Sequence, residues 1–221
     1  MSDIHPHALT LDAAALGAGL ITAQVLRANI AALPTPPVIF HLRCTAPEGV
    51  GTEVLVDAGF VQVGMTRLIK IALPLVETCP PDGFTFTWHS PQDAADWTAW
   101  YQAHWDSYRR THPTNIAKDP GAGQYPAIFG GDDLYEALFA YENGAFIGFA
   151  SLRKDQEIGW VDVCGADRDD TTLAAILAAT LRRATAHGWT AATLEVDDDH
   201  PGLWALSDAY TDQPMETFII W

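Results

Sequence analysis

Apolar and polar positions between residues 135 and 194 follow a pattern that predicts an ordered run of strands and one long helix. Two alternating apolar segments flank Asn143-Gly144, a dipeptide typical of tight hairpin turns, and a third segment follows. Over 172–187 the apolar residues recur every three or four positions, and Gly188 stands behind them as a C-terminal cap. A last strand is predicted at 191–196. The order is therefore strand, turn, strand, strand, helix, strand.

The residues on either side of this run extend the same alternation of elements. A strand is predicted at 84–88, and Ser90-Pro91 supplies an N-cap and a first-turn proline for a following helix. Residues 111–131 are rich in Pro and Gly and predict an irregular connection that is long enough to be a functional loop. A short helix at 201–209 and a strand at 216–221 end the chain.

The first seventy residues show their own pattern of helix and strand. Apolar residues spaced by three and four predict a helix over about 11–33, ended by prolines, and an apolar run predicts a strand at 38–44. Pro47-Glu48 opens a short helix that runs to about Ala58, with Gly59 as its cap. Residues 60–73 then predict one long strand or two short ones.

A proline-rich break divides the chain into two units. Two adjacent prolines followed by Asp-Gly interrupt helix and strand alike, which predicts a linker at 76–83 between units at 1–75 and 84–221. The order helix, strand, short helix, strand occurs over 11–73 and again over 172–221, so the first unit is interpreted as a partial repeat. It lacks the preceding strands and leaves a sheet edge that the second unit, or a second copy of the chain in a homodimer, can pair.

Composition and charge restrict the classes of partner. The 221 residues are 48% hydrophobic and carry a formal net charge of −16, which is enough apolar material for a core and repels nucleic acid. Such a surface attracts a cationic amine, or it serves solubility alone. No C-x-x-C pair, leader-like N-terminus or run of roughly 20 apolar residues is present. We therefore expect a cytoplasmic protein without disulfides or membrane contact.

At the level of residues, the second unit resembles the GNAT superfamily, the Gcn5-related N-acetyltransferases. Ala140-Tyr141-Glu142-Asn143-Gly144-Ala145-Phe146-Ile147-Gly148-Phe149-Ala150 looks like the second and third strands of that family, and Thr172 to Gly188 looks like its cofactor-binding helix. Asp57-Ala58-Gly59-Phe60 in the first unit is similar to the family's C-terminal ending. The resemblance implies an α/β fold with a mixed, mostly antiparallel sheet flanked by helices, plus a partial N-terminal repeat of the same fold.

The resemblance also implies a binding site for acetyl-CoA, the acyl donor, near the start of that helix. The family's pyrophosphate loop reads Arg/Gln-x-x-Gly-x-Gly/Ala. Arg168 fits this pattern, whereas Thr171 and Leu173 stand where the glycines are expected and Asp169 and Asp170 add negative charge. The missing glycines weaken the expectation of coenzyme A binding. The cofactor-binding residues that the resemblance implies are Val161, Val163, Arg168, Asp170, Thr171, Thr172 and Leu173, with the backbone of Val163 placed to meet pantetheine or the acyl carbonyl.

Acyl transfer to an amine needs a base and an acid. The resemblance implies that the base is a carboxylate on the strand that ends at Val163, so Asp162 and Glu157 are the candidates. Five residues apart on a strand, they are expected to point to opposite faces, and Asp162, between two valines, is the better buried of the two. The family's usual tyrosine acid is replaced by Ser207, which leaves Tyr210 as the nearest candidate, with a packed core aromatic as its alternative role.

Other candidate groups carry weaker signals. Five aromatic residues at helical spacing predict core packing first and a wall of the acceptor pocket second: Trp97, Trp100, Tyr101, Trp105 and Tyr108. His104 and His112 have no partner at metal-ligand spacing, so no metal is expected. The resemblance implies an acyl-CoA-dependent N-acetyltransferase acting on a small-molecule amine. The alternative is a non-catalytic module of the same fold that binds a ligand or partner and has lost coenzyme A binding.

Overall fold

The computed structural model describes most of the chain, and its helices and strands occupy the following ranges. The described residues are 8–12, 19, 21–32, 39–44, 52–74, 80–89, 94–111, 118–129, 134–164, 170–211 and 214–221. The strands are β1 (Ala8–Asp12), β2 (Ile39–Cys44), β3 (Gly64–Ala72), β4 (Phe84–His89), β5 (Leu134–Glu142), β6 (Ala145–Arg153), β7 (Glu157–Val163), β8 (Ala191–Asp197) and β9 (Glu216–Ile220). The helices are α1 (Ala23–Ala31), α2 (Glu53–Ala58), α3 (Ala94–Thr111), α4 (Tyr125–Phe129), α5 (Asp170–Ala186) and α6 (Pro201–Ser207), with a 3-10 turn at Ala122–Gln124.

All the strands of the described residues belong to one sheet. Their order is β1-β2-β9-β3-β8-β7-β6-β5-β4. The β1–β2 and β7–β8 pairs are parallel, and the other neighbours are antiparallel. The sheet is therefore mixed and mostly antiparallel, as expected, and helices flank it.

The last strand of the chain lies away from the strand that precedes it in sequence. β9 pairs with β2 on one side and β3 on the other, and β3 separates β9 from β8. Strands from both ends of the chain therefore alternate in the middle of the sheet. Of the predicted linker at 76–83, residues 80–83 form the turn into β4, and residues 76–79 lie outside the described residues. The division into a half-unit and a complete unit stays a prediction.

Helix α5 fixes the main core against one face of the sheet. Its inward face follows the predicted spacing of three and four, and each of these residues is buried: Leu173, Ile176, Leu177, Thr180, Leu181 and Ala184. The Thr180 hydroxyl donates to the Ile176 carbonyl at 2.8 Å, so this polar group is satisfied inside the core. Each buried Leu or Ile contributes about 1.5–3 kcal/mol relative to exposure, so α5 is a main source of stability.

Helix α3 and the short α4 form a second, aromatic cluster of buried residues. Trp100 of α3 and Tyr125 of α4 pack with Phe139 of β5 and Phe149 of β6. The Trp100 and Tyr125 rings meet edge to face with centroids 6.2 Å apart, an arrangement that rings favour beyond simple area burial. Most of the aromatic spacing predicted for this helix is therefore core packing.

Two predictions of local structure were wrong. The start of the helix predicted over about 11–33 was wrong, because Ala8–Asp12 is a strand that pairs in parallel with β2. Residues 13–18 lie outside the described residues, and helix α1 occupies Ala23–Ala31, within the predicted range, behind the N-cap Thr22. Leu9 and Leu11 alternate with Thr10 and Asp12, which is the spacing of a strand, and the predicted helix was extended too far into this segment. The connection 111–131 also contains the 3-10 turn and α4 rather than being irregular throughout.

Glycine and asparagine turns agree with the sequence. Asn143 and Gly144 have φ of 50° and 82°, as the tight β5–β6 hairpin requires. Gly59 caps α2 in the left-handed region at φ 97°.

Among the described residues, no helix combines the length and apolarity needed to cross a membrane.

Gly148 of β6 lies where the sheet leaves no room for a side chain. A Cβ there would stand 2.4 Å from Ile176 Cδ1 and 2.5 Å from the Asp162 carbonyl oxygen. We expect Gly148→Ala to lower the free energy of unfolding by about 2 kcal/mol, because backbone atoms cannot yield to the methyl group. Gly123→Ala is the control, since a Cβ there meets nothing within 4 Å. Urea unfolding of both variants checks this, and equal stabilities would contradict it.

Candidate active site

The parallel strands β7 and β8 part soon after they begin. They pair only at Glu157 with Thr193 and at Ile158 with Leu194, although both strands continue for several residues. The far half of β7 therefore presents a backbone edge that β8 does not cover. Helix α5 starts beyond the end of β7, and α6 starts beyond the end of β8. Both helices thus begin near the mouth of the gap.

The direction of the backbone groups at this edge follows from the pairing with β6. The Cys164 N–H donates to the Ile147 carbonyl at 2.8 Å, so it points toward β6. Because successive N–H groups of a strand point to opposite sides, the Val163 N–H points into the gap. An N–H in that position is suited to donate a hydrogen bond to the carbonyl oxygen of a ligand.

Asp162 is the chemical centre of the gap. Its side chain is only 1% exposed. One carboxylate oxygen accepts from Arg110 Nη2 at 2.9 Å and from the Ser107 hydroxyl, both on α3. The other accepts from the Val163 N–H at 2.7 Å and from His200 Nε2 at 2.9 Å. Four donors surround this carboxylate, as a buried charge requires.

These donors decide the ionisation of Asp162. Burial alone raises the pKa of this carboxyl, but hydrogen bonds from His200, Ser107 and the Val163 N–H outweigh it and hold the pKa below its ordinary value. Asp162 is therefore ionised at neutral pH. Its lone pairs are already engaged, so in this arrangement it has little capacity to take a proton from a substrate amine.

The predicted relation between Glu157 and Asp162 was wrong. A bulge in β7 leaves Gly159 outside the pairing with β6, and Ile158 and Val161 consequently both lie in the main core. Because the bulge shifts the alternation of side chains along β7 by one residue, Glu157 and Asp162 lie together on the face opposite Ile158 and Val161. Glu157 lies at the far end of that face, with a carboxylate oxygen 4.0 Å from Arg153 Nε.

His200 joins α6 to the edge of β7. Its Nδ1 accepts from the Leu203 N–H at 3.2 Å and caps α6, which assigns the proton to Nε2 and makes that atom a donor to Asp162. The second residue of α6, Gly202, packs against the start of α5. A Cβ at Gly202 would lie 2.8 Å from Asp170 Oδ1. α6 therefore closes over the first turn of α5.

Apart from Val161 in the main core and Val163 at the open edge of β7, the predicted cofactor-binding residues divide into three groups. Arg168 lies outside the described residues, as does Asp169. Asp170 and Thr171 are exposed in the first turn of α5, whereas Thr172 and Leu173 are buried. Only Asp170 and Thr171 therefore present side chains to a ligand at this helix N-terminus, and Asp170 carries a negative charge.

The predicted acid lies at the end of α6. Tyr210 packs against the rim of the main core, and burial raises its pKa, so the phenol is protonated at neutral pH. Ser207, at the position where the sequence resemblance expects a tyrosine, is fully buried and bonded to Arg67 of β3. Arg67 also pairs with Asp208 at 2.8 Å and lies 3.9 Å over the Trp204 ring, which anchors this end of α6.

The aromatic residues of α3 lie on the Asp162 side of the sheet. Trp100, Trp105 and Tyr108 are buried. His104 is buried as well and lies 2.5 Å from the Tyr125 hydroxyl. The Trp160 indole N–H points to the Ser107 hydroxyl at 3.4 Å. These rings form the packed layer behind the Asp162 cluster, while Trp97 and Tyr101 are only partly buried.

Acidic residues elsewhere have structural partners. The Asp198 carboxylate accepts from the Met65 N–H at 2.9 Å, and Asp197 accepts from the Thr66 hydroxyl, so both hold β3 beside β8. Across the described residues, no group of three or more His, Cys, Asp or Glu side chains is placed to hold a metal ion. His112 lies outside those residues.

Sequence reasoning missed the three side chains that surround Asp162. Ser107 and Arg110 are three apart on α3, so they share a helix face, and His200 directly precedes a first-turn proline, as an N-cap does. These local signals exist, but none of them shows which carboxylate the three residues would meet.

Known structures share this arrangement of sheet and helices. A GCN5-related N-acetyltransferase from Sphaerobacter thermophilus matches with a TM-score of 0.66 at 15% identity, over 98% of this chain and 72% of that one. A tandem GNAT protein from the clavulanic acid biosynthesis pathway, without AcCoA, matches with a TM-score of 0.52 at 14% identity, over 83% of this chain and 63% of that one.

A third match is a GCN5-related N-acetyltransferase from Kribbella flavida, with a TM-score of 0.50 at 17% identity over 96% of this chain and 76% of that one. No family model and no curated protein matches the sequence. The chain therefore has the fold of the GNAT N-acetyltransferases, in agreement with the resemblance of its motifs.

Removing the Asp162 carboxylate tests how much this residue and its four hydrogen-bond donors contribute to stability. We expect Asp162→Ala to lower the free energy of unfolding at pH 7 by about 3 kcal/mol, because buried donors lose their partner. The folded-state pKa is lowered, so the stabilisation is present above the unfolded pKa near ~4 and is lost as pH falls through the folded pKa. The difference between wild type and variant should therefore shrink in acid.

Asp106→Ala is the control, since Asp106 is exposed on the same helix and pairs with Arg109 at 2.6 Å on the surface. It should cost less than about 0.5 kcal/mol. Denaturant unfolding between pH 3 and 7 measures both variants. A cost at Asp162 that is equally small, or independent of pH, would contradict the role assigned to the cluster.

Proposed function

We propose that the protein is an acyl-CoA-dependent N-acyltransferase that transfers an acetyl group to the amine of a small molecule. The observation that carries this proposal is the separation of β7 from β8 beyond Ile158 and Leu194. It leaves a strand edge with the Val163 N–H directed into the gap. An acyl carbonyl fits such an edge as an added strand would, by accepting a backbone hydrogen bond.

The start of α5 supports the placement of the donor's phosphates. The helix has 17 residues, and its first N–H groups have no carbonyl partner within the helix, which favours an anion there. Asp170 in the first turn opposes that attraction. Because the residue is exposed, solvent screens much of the repulsion. Phosphate binding at this helix is therefore weakened rather than abolished by the sequence change.

The acceptor is proposed to be cationic before it reacts. The net charge of −16 draws ammonium groups toward the protein. In the transfer, the neutral amine nitrogen forms a bond to the acyl carbon, the carbon–sulfur bond breaks, and the nitrogen loses a proton while the thiolate gains one. The chain must hold the carbonyl, take up the amine's proton and keep water out.

The assignment of base and acid remains part of the proposal. Glu157 has a partly exposed carboxylate on the Asp162 face of β7, but it lies at the paired end of the gap. Asp162 lies beside the open edge and can serve as the base only when one of its donors leaves. Tyr210 is protonated at neutral pH, as a donor to the thiolate must be.

A second candidate is a binding module of the same fold without acetyl transfer. Two contacts favour it. The Val163 N–H is already bonded to Asp162 at 2.7 Å, and Gly202 of α6 packs against Asp170 at the start of α5. Both contacts occupy positions that an acyl donor would need.

Titration with acetyl-CoA separates the two candidates. If the protein binds acetyl-CoA, saturation at ~100 times Kd stabilises it by about 2.7 kcal/mol and raises Tm by roughly 5–10 °C for a chain of this size. Calorimetry gives the Kd, and release of free thiol in the presence of primary amines measures turnover. An unchanged Tm at several hundred micromolar acetyl-CoA would exclude the transferase proposal and leave the binding module.

The charge at Asp170 provides a test of where the phosphates bind. We expect Asp170→Asn to tighten acetyl-CoA binding by about threefold, or ~0.6 kcal/mol, since it removes a like charge from the helix N-terminus. Asp155→Asn is the matched control, because it makes the same charge change in the exposed β6–β7 turn, at the opposite end of β7 from Val163. Equal effects of the two substitutions would point to a general charge effect instead of a site at α5.

A further inference from the structure

The open edge of β7 is occupied by the chain's own carboxylate. Asp162 Oδ1 accepts from the Val163 N–H at 2.7 Å, and the same oxygen accepts from His200 Nε2 at 2.9 Å. A backbone N–H makes one strong hydrogen bond at a time. The group that faces the gap is therefore bonded to a side chain of the protein itself.

Helix α3 also holds the Asp162 carboxylate in this position. Ser107 and Arg110 of α3 donate to Asp162 Oδ2, and Arg110 Nη2 also donates to the Val163 carbonyl at 2.7 Å. The N–H and the carbonyl of Val163 are thus both engaged by side chains of this protein. The contact is a built feature of the gap, because three side chains from two helices converge on it.

Helix α6 is fixed across the gap by the same contact. His200 caps α6 and bonds Asp162, while Arg67 holds the other end of α6 through Ser207 and Asp208. The Arg67 end rests on β3 and does not involve the gap. Release of His200 from Asp162 would therefore free the start of α6 while its end stays anchored.

We propose that Asp162 is an internal ligand of the acyl-carbonyl site, and that an acyl donor binds by displacing its carboxylate from the Val163 N–H. This inference rests on the proposed function. Displacement removes one of four donors from the carboxylate and leaves it next to the carbonyl that replaced it. The same event that seats the acyl group therefore gives Asp162 a free lone pair for the proton of the amine.

The contact between Asp162 and the Val163 N–H is tested first, without any acyl donor. In a 1H–15N spectrum the Val163 amide proton of the wild type should resonate downfield, as an N–H bonded to a carboxylate does. Asp162→Ala should move it upfield, and Asp106→Ala on α3 should leave it in place. An unchanged Val163 resonance in Asp162→Ala would overturn the proposal, whatever the protein's function.

Acetyl-CoA affinity is the second test. Asp162→Ala should bind acetyl-CoA about tenfold more tightly than wild type, or ~1.4 kcal/mol, because its competitor at Val163 is gone, while turnover falls. A carboxylate with a merely structural role predicts weaker binding on removal. His200→Asn keeps an N-cap residue but is too short to reach Asp162. Because His200 helps to hold the carboxylate at Val163, its loss should make the carboxylate easier to displace and should also tighten binding in a fully folded protein.

The outcomes are distinct. If wild type binds acetyl-CoA and neither variant binds it more tightly, the internal-ligand proposal is overturned and the transferase proposal stands. If wild type and both variants all fail to bind, the transferase proposal itself is wrong. Asp106→Ala should match wild type in both Kd and turnover, and a gain of affinity there would show that net charge, and not the contact at Val163, controls binding.

Discussion

A single buried carboxylate organises the part of this protein where its chemistry is proposed. Asp162 is 1% exposed, and a charge removed from water to that degree must be surrounded by donors. Helix α3 supplies Ser107 and Arg110, the cap of α6 supplies His200, and the strand itself supplies the N–H of the next residue. The positions of two helices relative to β7 therefore depend on one side chain.

The sheet imposes the second constraint. β9 lies between β2 and β3, and β3 pairs along most of its length with β8, so strands from both ends of the chain alternate at the centre. Arg67 on β3 then anchors the end of α6. β3 thus does more than extend the sheet, because it pairs with β8, which forms one wall of the gap between β7 and β8.

Comparison with solved structures establishes the fold of this protein, whereas its activity is a proposal that depends on particular residues. Several solved GNAT structures share the overall fold of this chain. The residues that would distinguish an active enzyme are those in which this chain departs from the family pattern. By the sequence resemblance, Thr171 and Leu173 stand where glycines are expected, and Ser207 stands where a tyrosine is expected. Asp162 engages the backbone group that an acyl carbonyl would need.

The sequence by itself determined what depends on neighbours along the chain. Helix α5 followed from its apolar spacing and the β5–β6 turn from Asn143-Gly144, since periodicity and turn geometry are local properties. Tertiary structure decided the rest. The bulge at Gly159 shifts the alternation of β7 by one position and turns Glu157 and Asp162 to one face. The contacts of Asp162 with Ser107 and His200 join residues that are far apart in sequence. Neither the bulge nor this cluster produces a periodic pattern in the sequence, because both depend on how the strands and helices pack together.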